Sequence, residues 1–346
     1  MTPQEPYPAI NENRNTQPLG NSDLGVPRLI LNWRIYDDPS REGISRALPD
    51  PEILHLLKNA YDRGITTWDI TDCCAGGMAE ILIGRALAQY KIPRTSITIM
   101  TKLCHPVLKP PSLPQAGPAG DTAARGNRMK LSHRNIFEAV EGSLIRLNTT
   151  YIDVLHLNYM DDTEPEEVME ALHNLVQAGK VLYLGAANML CWQLARLQHT
   201  ARMRNWTTFT WMQGPYNLLY REGEREIHPF CQAEGINLIS WSPRANGLLD
   251  GLGNFPIRGL APFKFSAEQN HKILMRARWI AQSKGCSMRT VAIAWLLAKG
   301  VSPSVGLQNI DKSTLMALEI RLTDQEVKFL DELYRGLPMD VLQLDE

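Results

Sequence analysis

The sequence predicts one (β/α)8 TIM barrel, and three observations support that fold class. Short apolar or β-branched runs alternate with amphipathic stretches of helical period from about Val26 onward. This alternation of strand and helix repeats eight times in a chain of 346 residues, which is typical of a parallel barrel. Several helical stretches end at a glycine, as at Gly64, Gly179 and Gly235, where a left-handed C-cap is favourable. We expect residues 23–346 to form the barrel as a single domain.

The elements can be assigned in chain order. Residues 1–22 are polar, rich in Pro and Asn and without periodicity, so we expect a flexible N-terminal arm, part of which closes the bottom of the barrel. The expected strands are Arg28–Leu31, Thr66–Ile70, Ile97–Lys102, Ile152–Leu157, Val181–Leu184, Phe209–Gln213, Asn237–Trp241 and Val301–Val305. The expected helical stretches are Pro51–Arg63, Ala79–Gln89, His133–Leu147, Glu164–Ala178, Trp192–Arg204, Glu222–Ala233, Ala267–Lys284, Ser287–Gly300 and Asp311–Gly336.

Two connections are too long for simple turns. One runs from Cys104 to about Leu131 and the other from Arg244 to about Lys264, and both are rich in Pro, Gly and Ala. Loops longer than about 12–15 residues are usually functional or disordered. Both follow strands, so they leave the barrel at its C-terminal face, where barrel enzymes bind their ligands. We therefore expect the functional site at that face.

Composition excludes several classes of partner. A formal net charge of −1 without a long basic run argues against binding to nucleic acid or to an anionic membrane. No stretch reaches the roughly 20 apolar residues that span a bilayer, and the N-terminus lacks the apolar core of a signal peptide. We expect a cytoplasmic protein that acts on a small molecule, as a monomer or weak homo-oligomer. The six cysteines have neither zinc-ligand spacing nor the density of a disulfide scaffold, so no metal site is expected.

The stretch Trp68–Gly84 is expected to carry the chemistry. It combines a buried β run that ends in Asp69, a small polar turn that contains Cys74, and an amphipathic helix that starts near Met78. In a parallel barrel this strand–turn–helix unit places its turn residues at the mouth.

Three segments resemble the strand signatures of one family. Val181–Asn188 (VLYLGAAN), Met212–Arg225 (MQGPYNLLYREGER) and Gly235–Leu248 (GINLISWSPRANGL) resemble the fifth, sixth and seventh strand regions of the aldo-keto reductases. The motifs GITTWDITD, TKL, YIDVLHLN and RLTDQEV resemble the same family, and the likeness extends from about Thr16 to Tyr334. The chain is most similar to the branch found in fungal secondary-metabolite pathways.

The resemblance implies a barrel that holds NADPH and reduces a carbonyl with an Asp, Lys, Tyr and His tetrad. Asp69 and Lys102 match the Asp and the Lys. Cys74 stands at the Tyr position, five residues after Asp69, and Asn158 stands at the His position. A thiol is a weaker and shorter donor than a phenol, and an amide does not transfer a proton, so carbonyl reduction should be slow or absent. His105 is a candidate replacement for the missing acid, and an ordinary loop histidine is the alternative.

The resemblance also implies cofactor-binding positions, with departures from the family pattern. These positions are Asn188, Gln213, Trp241, Ser242, Gly306 and Lys312. Gln308 and Asn309 stand where a basic residue usually binds the 2′-phosphate. Asn32 takes the place of a glycine beneath the nicotinamide, and Arg244 that of a leucine near the pyrophosphate. NADP is thus a possible cofactor by resemblance, and we expect weak binding or none.

Other side chains near the strand ends have two interpretations each. Trp33, Tyr159 and Tyr216 either line an aromatic substrate pocket or pack at the barrel rim. His156 has the strand parity of Asn158, so it should point into the barrel two residues deeper, where a satisfied core histidine is favoured over a functional one.

The sequence therefore supports three hypotheses of function. The first is a biosynthetic enzyme that has lost hydride transfer and catalyses a non-redox cyclisation, isomerisation, dehydration or rearrangement at the barrel mouth. The alternative is an NADPH-dependent carbonyl reductase or dehydrogenase with an atypical proton donor. The third is a non-catalytic binding subunit. The substitution at Cys74 favours the first.

Overall fold

The computed structural model describes residues 16–18, 25–32, 50–72, 74–103, 130–250 and 267–336. It gives the backbone but not the side chains of Gln17, Pro18, Cys74, Ala75 and Ala267. Most of the two long connections, residues 104–129 and 251–266, lies outside the described ranges.

Eight parallel strands close into a barrel, which confirms the predicted fold class. The strands, with the two of an N-terminal hairpin first, are β1 Thr16–Pro18, β2 Gly25–Pro27, β3 Ile30–Asn32, β4 Thr67–Asp69, β5 Thr98–Leu103, β6 Ile152–Leu157, β7 Val181–Ala187, β8 Phe209–Pro215, β9 Asn237–Trp241 and β10 Ser302–Gly306. Each strand from β3 to β9 pairs with the next in the chain, and β10 pairs with β3 to close the ring.

Helices surround the barrel in the order that the sequence predicts. They are α1 Asp50–Asp62, α2 Met78–Gln89, α3 His133–Leu147, α4 Pro165–Gln177, α5 Cys191–Met203, α6 Ile227–Glu234, α7 Ala267–Ser283, α8 Met288–Ala298, α9 Lys312–Met316 and α10 Asp324–Asp331. None of these helices is long and apolar enough to cross a bilayer.

Two expected helices are divided in the structure. The stretch expected as Glu222–Ala233 consists of a 3-10 helix, Glu222–Arg225, and then α6. The backbone of Glu226 between them has φ −139°, outside the helical region. The stretch Asp311–Gly336 contains two short helices, because Thr323 starts a new helix with a capping box.

Ordered backbone begins earlier than the sequence suggests. Thr16–Pro18 pairs antiparallel with Gly25–Pro27, so a hairpin starts within the segment expected to be a flexible arm. Val26 on this hairpin is fully buried and packs inside the barrel with Ile30 and Trp211. The hairpin thereby closes the end of the barrel opposite the C-terminal ends of the strands.

Strand alternation separates two layers of core. Successive side chains of a strand point to opposite faces. Trp68 packs in the outer cluster between barrel and helices, so Thr67 and Asp69 face the barrel interior. The deeper interior is an apolar floor made of Val26, Ile30, Met100, Val154, Trp211 and Ile239. Polar side chains that point inward from the last residues of the strands lie above this floor, at the mouth.

A buried ion pair supports the turn between β4 and α2. Glu80 on α2 is fully buried, and it accepts hydrogen bonds from Thr101 Oγ1 at 2.9 Å and from Arg146 Nε at 2.6 Å. The turn itself is a 3-10 helix, Cys74–Gly77, and Gly77 has φ 87°. A Cβ at Gly77 would lie 2.5 Å from Arg146 Cδ, so the glycine allows the arginine to cross beneath the turn.

Replacing Arg146 by Leu should therefore lower the free energy of unfolding by about 3–5 kcal/mol, because it leaves the buried Glu80 carboxylate without its charge partner. Urea unfolding of the two proteins measures the difference. Arg134→Leu is the matched control, since Arg134 pairs with Glu138 on the exposed surface and the change should leave the free energy of unfolding nearly unchanged. Equal losses in the two variants would contradict the supporting role of Arg146.

Candidate active site

Asp69, at the end of β4, is the centre of the barrel mouth. Its side chain is fully buried, and its Oδ1 forms a salt bridge with Lys102 Nζ from β5. Its Oδ2 accepts hydrogen bonds from Gln213 Nε2 at 2.7 Å and from Asn32 Nδ2 at 3.2 Å. Lys102 Nζ also donates to the carbonyl oxygen of Ile70 at 3.2 Å. Four strands thus hold one charged pair with both carboxylate oxygens bonded.

The Asp69–Lys102 pair keeps a cation at a buried position near the mouth. Lys102 is 5% exposed, and a buried ammonium of this kind needs the adjacent carboxylate to stay charged. An ammonium can donate a hydrogen bond or a proton to an oxygen on which negative charge develops. The pair expected from sequence is therefore assembled, and it offers electrostatic and proton-donor chemistry.

His156 is buried beside the charged pair. It lies next to Lys102 in the strand register, and its Nδ1 is 3.9 Å from Asp69 Oδ1. Burial and then the positive charge of Lys102 lower the pKa of His156 to about 3, although Asp69 acts in the opposite direction. A Cβ on Gly185 would lie 2.1 Å from His156 Cδ2, so the imidazole occupies space that this glycine leaves. His156 is the core residue that strand parity predicts, and its ring is neutral.

Neither ring nitrogen of His156 has a hydrogen-bond partner within the described part of the chain. The sequence interpretation of a satisfied core histidine is corrected on this point. A buried imidazole without hydrogen-bond partners lowers the stability of the folded protein, and it places a polar ring beneath Asp69.

Three side chains form a hydrogen-bonded chain along the rim. Asn188 follows β7 with φ 52°, in the left-handed region. Its Nδ2 donates to Asn158 Oδ1 at 2.9 Å, and its Oδ1 accepts from Trp241 Nε1 at 2.9 Å. Asn158 and Trp241 stand at the ends of β6 and β9. We call Asn158, Asn188 and Trp241 the rim chain.

The expected cofactor residues Ser242, Gly306 and Lys312 border the ends of β9 and β10. Ser242 has φ 57°, and its hydroxyl lies 2.8 Å from Asn246 Oδ1. Gly306 ends β10, and a Cβ there would lie 2.7 Å from Asn309 Nδ2. Lys312 is exposed at the first position of α9. Their role in binding a nucleotide stays a prediction.

A series of salt bridges beside these residues was not predicted from the sequence. Asp250 accepts from Arg244 Nη1 at 2.6 Å and from Arg289 Nε at 2.7 Å. Arg289 also pairs with Asp311, which caps α9. These salt bridges join the turn after β9, the start of α8 and the start of α9. Spacing in the sequence gives no signal for such contacts, because the partners come from three separate segments.

Gln213 and Tyr216 have defined contacts within the fold. Gln213 donates to Asp69 through its Nε2, and its expected part in cofactor binding stays a prediction. Tyr216 was expected to line a substrate pocket, but it is 2% exposed and packs on Trp295 with ring centroids 5.1 Å apart. Burial and the neighbouring Glu224 carboxylate, to which it donates, raise its pKa. Tyr216 follows the last residue of β8 and packs in the apolar cluster between barrel and helices.

Some candidate site residues lie outside what the structure describes, or their role stays a prediction. Trp33 and His105 lie outside the described residues, and the side chain of Cys74 is not described. Tyr159 is half-buried and packs against the outer apolar cluster, so its part in a pocket stays a prediction. Within the described ranges, no group of three His, Cys, Asp or Glu side chains is arranged to hold a metal ion.

Comparison with known proteins shows which proteins this chain resembles. A model of the aldo/keto reductase family matches residues 40–335. The chain is 41% identical over 340 residues to the aldo-keto reductase AMT2 of Alternaria alternata, covering 92% of this chain and 91% of that protein. It is 39% identical over 341 residues to a putative aryl-alcohol dehydrogenase of Schizosaccharomyces pombe, covering 93% of this chain and 96% of that one.

One more relative and one solved structure are similar to this chain over most of its length. The chain is 37% identical over 335 residues to the versiconal hemiacetal acetate reductase of Aspergillus parasiticus, covering 91% of this chain and 96% of that protein. A crystal structure of the thermostable aldo-keto reductase Tm1743 with the inhibitor epalrestat superposes with a TM-score of 0.69 at 25% identity, covering 92% of this chain and 99% of that chain.

The neutral state of His156 makes stability depend on pH. The unfolded chain binds a proton at its ordinary pKa of about 6.5, whereas the folded pKa is about 3. The contribution is therefore fully present above pH 6.5 and is lost as the pH falls toward 3. Between pH 7 and pH 5 the native protein should lose about 2 kcal/mol more than His156→Leu.

Urea unfolding at the two pH values tests this expectation. His199→Leu, an exposed position on α5, is the control and should follow the native protein. A His156→Leu protein with the native pH dependence would show that the imidazole binds its proton equally well in the folded and unfolded chain, which would contradict the neutral ring.

Proposed function

Because the chain belongs to the aldo/keto reductase family, we propose that it is an NADPH-dependent carbonyl reductase or alcohol dehydrogenase, in which Lys102 takes the place of tyrosine as proton donor. The observation that carries the proposal is the complete Asp69–Lys102 pair, held by Asn32, Gln213 and the carbonyl of Ile70. The pair supports the proposal because it holds, at the barrel mouth, a cation that can protonate the oxygen on which negative charge develops during carbonyl reduction.

The relatives support the redox alternative over the non-redox one. Those of similar sequence carry the names of reductases and aryl-alcohol dehydrogenases, and the chain matches them over nearly its whole length. The substitutions at Cys74 and Asn158 argued for a non-redox step. They remove the usual acid, but the charged pair that assists it is still in place.

The residues at the mouth fit a nicotinamide cofactor. The amide of Asn188 offers both a donor and an acceptor, and the left-handed backbone of Ser242 and Asn246 makes a tight turn beside β10. When bound, NADPH supplies the hydride. The carbonyl oxygen of the substrate then takes a proton from the Lys102 ammonium as the Nζ–H bond breaks, and the neutral amine regains its proton from solvent. Asp69 stabilises the ammonium before and after the transfer.

The substrate class follows from the same comparison. The relatives include a putative aryl-alcohol dehydrogenase and a versiconal hemiacetal acetate reductase. We propose a small aldehyde or ketone, and we take aromatic aldehydes as the first panel to assay.

Removing the ammonium should remove most of the activity. We expect Lys102→Met to lower kcat/KM for NADPH-dependent reduction of an aromatic aldehyde by at least roughly 10²-fold, as loss of a general acid does. Lys130→Met changes an exposed lysine and should leave the rate unchanged. Because Asp69 would be left unpaired in Lys102→Met, the double variant Asp69→Asn, Lys102→Met is measured beside it. A native rate in both variants would contradict the role of Lys102.

Restoring the phenol should raise the rate. Cys74 holds the family's tyrosine position, so Cys74→Tyr supplies an acid beside the retained Lys102. We expect kcat to rise by at least roughly 10-fold. Cys74→Ser adds no phenol and should not reproduce the gain. A tyrosine variant that binds NADPH but reduces no faster than the native protein would show that the mouth no longer holds a working acid geometry.

A further inference from the structure

The rim chain joins the ends of three strands through side chains alone. Asn188 Nδ2 donates to Asn158 Oδ1 and Asn188 Oδ1 accepts from Trp241 Nε1, each at 2.9 Å. The contacts lie on the exposed rim, above the buried pair of Asp69 and Lys102. They connect β6 to β7 and β7 to β9, two strands further around the barrel.

Chemistry fixes the direction of both bonds. An indole N–H only donates, so the atom of Asn188 that faces Trp241 must be its oxygen. The nitrogen of the same amide then faces Asn158, which has to present its own oxygen. The usual ambiguity between the two ends of an amide is therefore removed at Asn188.

Asn188 needs such support. Its side chain is exposed, and the terminal torsion of an asparagine has a broad range. An amide offers two donor hydrogens and two acceptor lone pairs. The rim chain uses one hydrogen and one lone pair, so within the described residues one of each is left for a ligand. A planar group with one donor and one acceptor, such as a carboxamide, is the complement of that edge.

We propose that Asn158 is a positioning residue, which with Trp241 fixes the Asn188 amide in the orientation that binds the carboxamide of a nicotinamide ring. The inference rests on the proposed function, because it names part of the machinery for the same cofactor. It assigns a purpose to the residue that replaces the family's histidine.

The type of side chain at position 158 is part of the argument. An amide oxygen accepts a hydrogen bond at every pH, whereas an imidazole accepts only while it is neutral. The asparagine thus gives up proton transfer and gains an acceptor that does not change with pH. Aspartate would keep an oxygen acceptor at the same place, and alanine would not.

Calorimetric titration with two ligands tests the proposal. NADPH carries the nicotinamide ring, and 2′-phospho-ADP-ribose is the same nucleotide without it. We expect Asn158→Ala to raise the Kd for NADPH by roughly 5- to 10-fold, the value of one lost hydrogen bond, with the Kd for 2′-phospho-ADP-ribose unchanged. Asn158→Asp should restore NADPH binding close to the native value, because it keeps the oxygen that Asn188 donates to.

Two controls make the result specific. Trp241→Phe keeps an aromatic ring but lacks the indole N–H, and it should also weaken NADPH alone. Asn174→Ala makes the same chemical change as Asn158→Ala on the exposed surface of α4, and it should leave both ligands unaffected.

The possible failures can be told apart. A native protein that binds NADPH, with Asn158→Ala binding it equally well, would overturn the positioning role while leaving the proposed function in place. An equal loss of both ligands in Asn158→Ala would also overturn it, because the residue would then support the whole groove. Two results with the native protein would contradict the proposed function itself. One is that it binds NADPH no more tightly than 2′-phospho-ADP-ribose, and the other is that it binds neither ligand.

Discussion

The ion pair of Asp69 and Lys102 is the constraint around which the barrel mouth is built. A carboxylate that is fully buried has to be neutralised and hydrogen-bonded, and here four strands contribute to that requirement. Removing either charge would leave the other unpaired in a site with little access to water. The pair therefore fixes Asn32 and Gln213 as well as the two charges, and it explains why Gln213 turns toward Asp69.

The polar mouth stands on an apolar base. The apolar floor and the buried Val26 of the hairpin fill the barrel from below, so the charged groups meet solvent only at the C-terminal face. His156 lies between these regions, neutral and close to Lys102. Burial, and after it the positive charge of Lys102, lower the pKa of His156, so the imidazole stays uncharged in the fold. The buried polar group below, His156, is thus neutral, and the charged groups Asp69 and Lys102 lie at the mouth.

The sequence predicts the fold well and the contacts of the site only in part. Strand–helix alternation predicts the barrel, but the predicted β7 ends too early, at Leu184. Gly185, Ala186 and Ala187 lack the β-branched side chains that indicate a strand, and yet β7 continues through them because small residues fit the crowded sheet. The resemblance identifies Asp69 and Lys102 by position. It does not show that Asn158 bonds to Asn188, since hydrogen bonds between strand ends depend on barrel closure rather than on spacing. For the same reason the sequence does not predict the salt bridge between Asp250 and Arg289.

The stretch Trp68–Gly84 combines a retained part and a lost part of one mechanism: Asp69 keeps its lysine, and Cys74 replaces the acid. Whether hydride still moves across this mouth is best measured with NADPH that carries deuterium at C4 of the nicotinamide. Both hydrogens at C4 are replaced, so that either face of the ring would transfer deuterium. The protein is incubated with this cofactor and a panel of aromatic aldehydes, and the alcohol products are analysed by mass spectrometry. The account predicts one deuterium at the carbinol carbon, absent without the protein. Folded protein that leaves every aldehyde unreduced, with NADPH unconsumed, would contradict it.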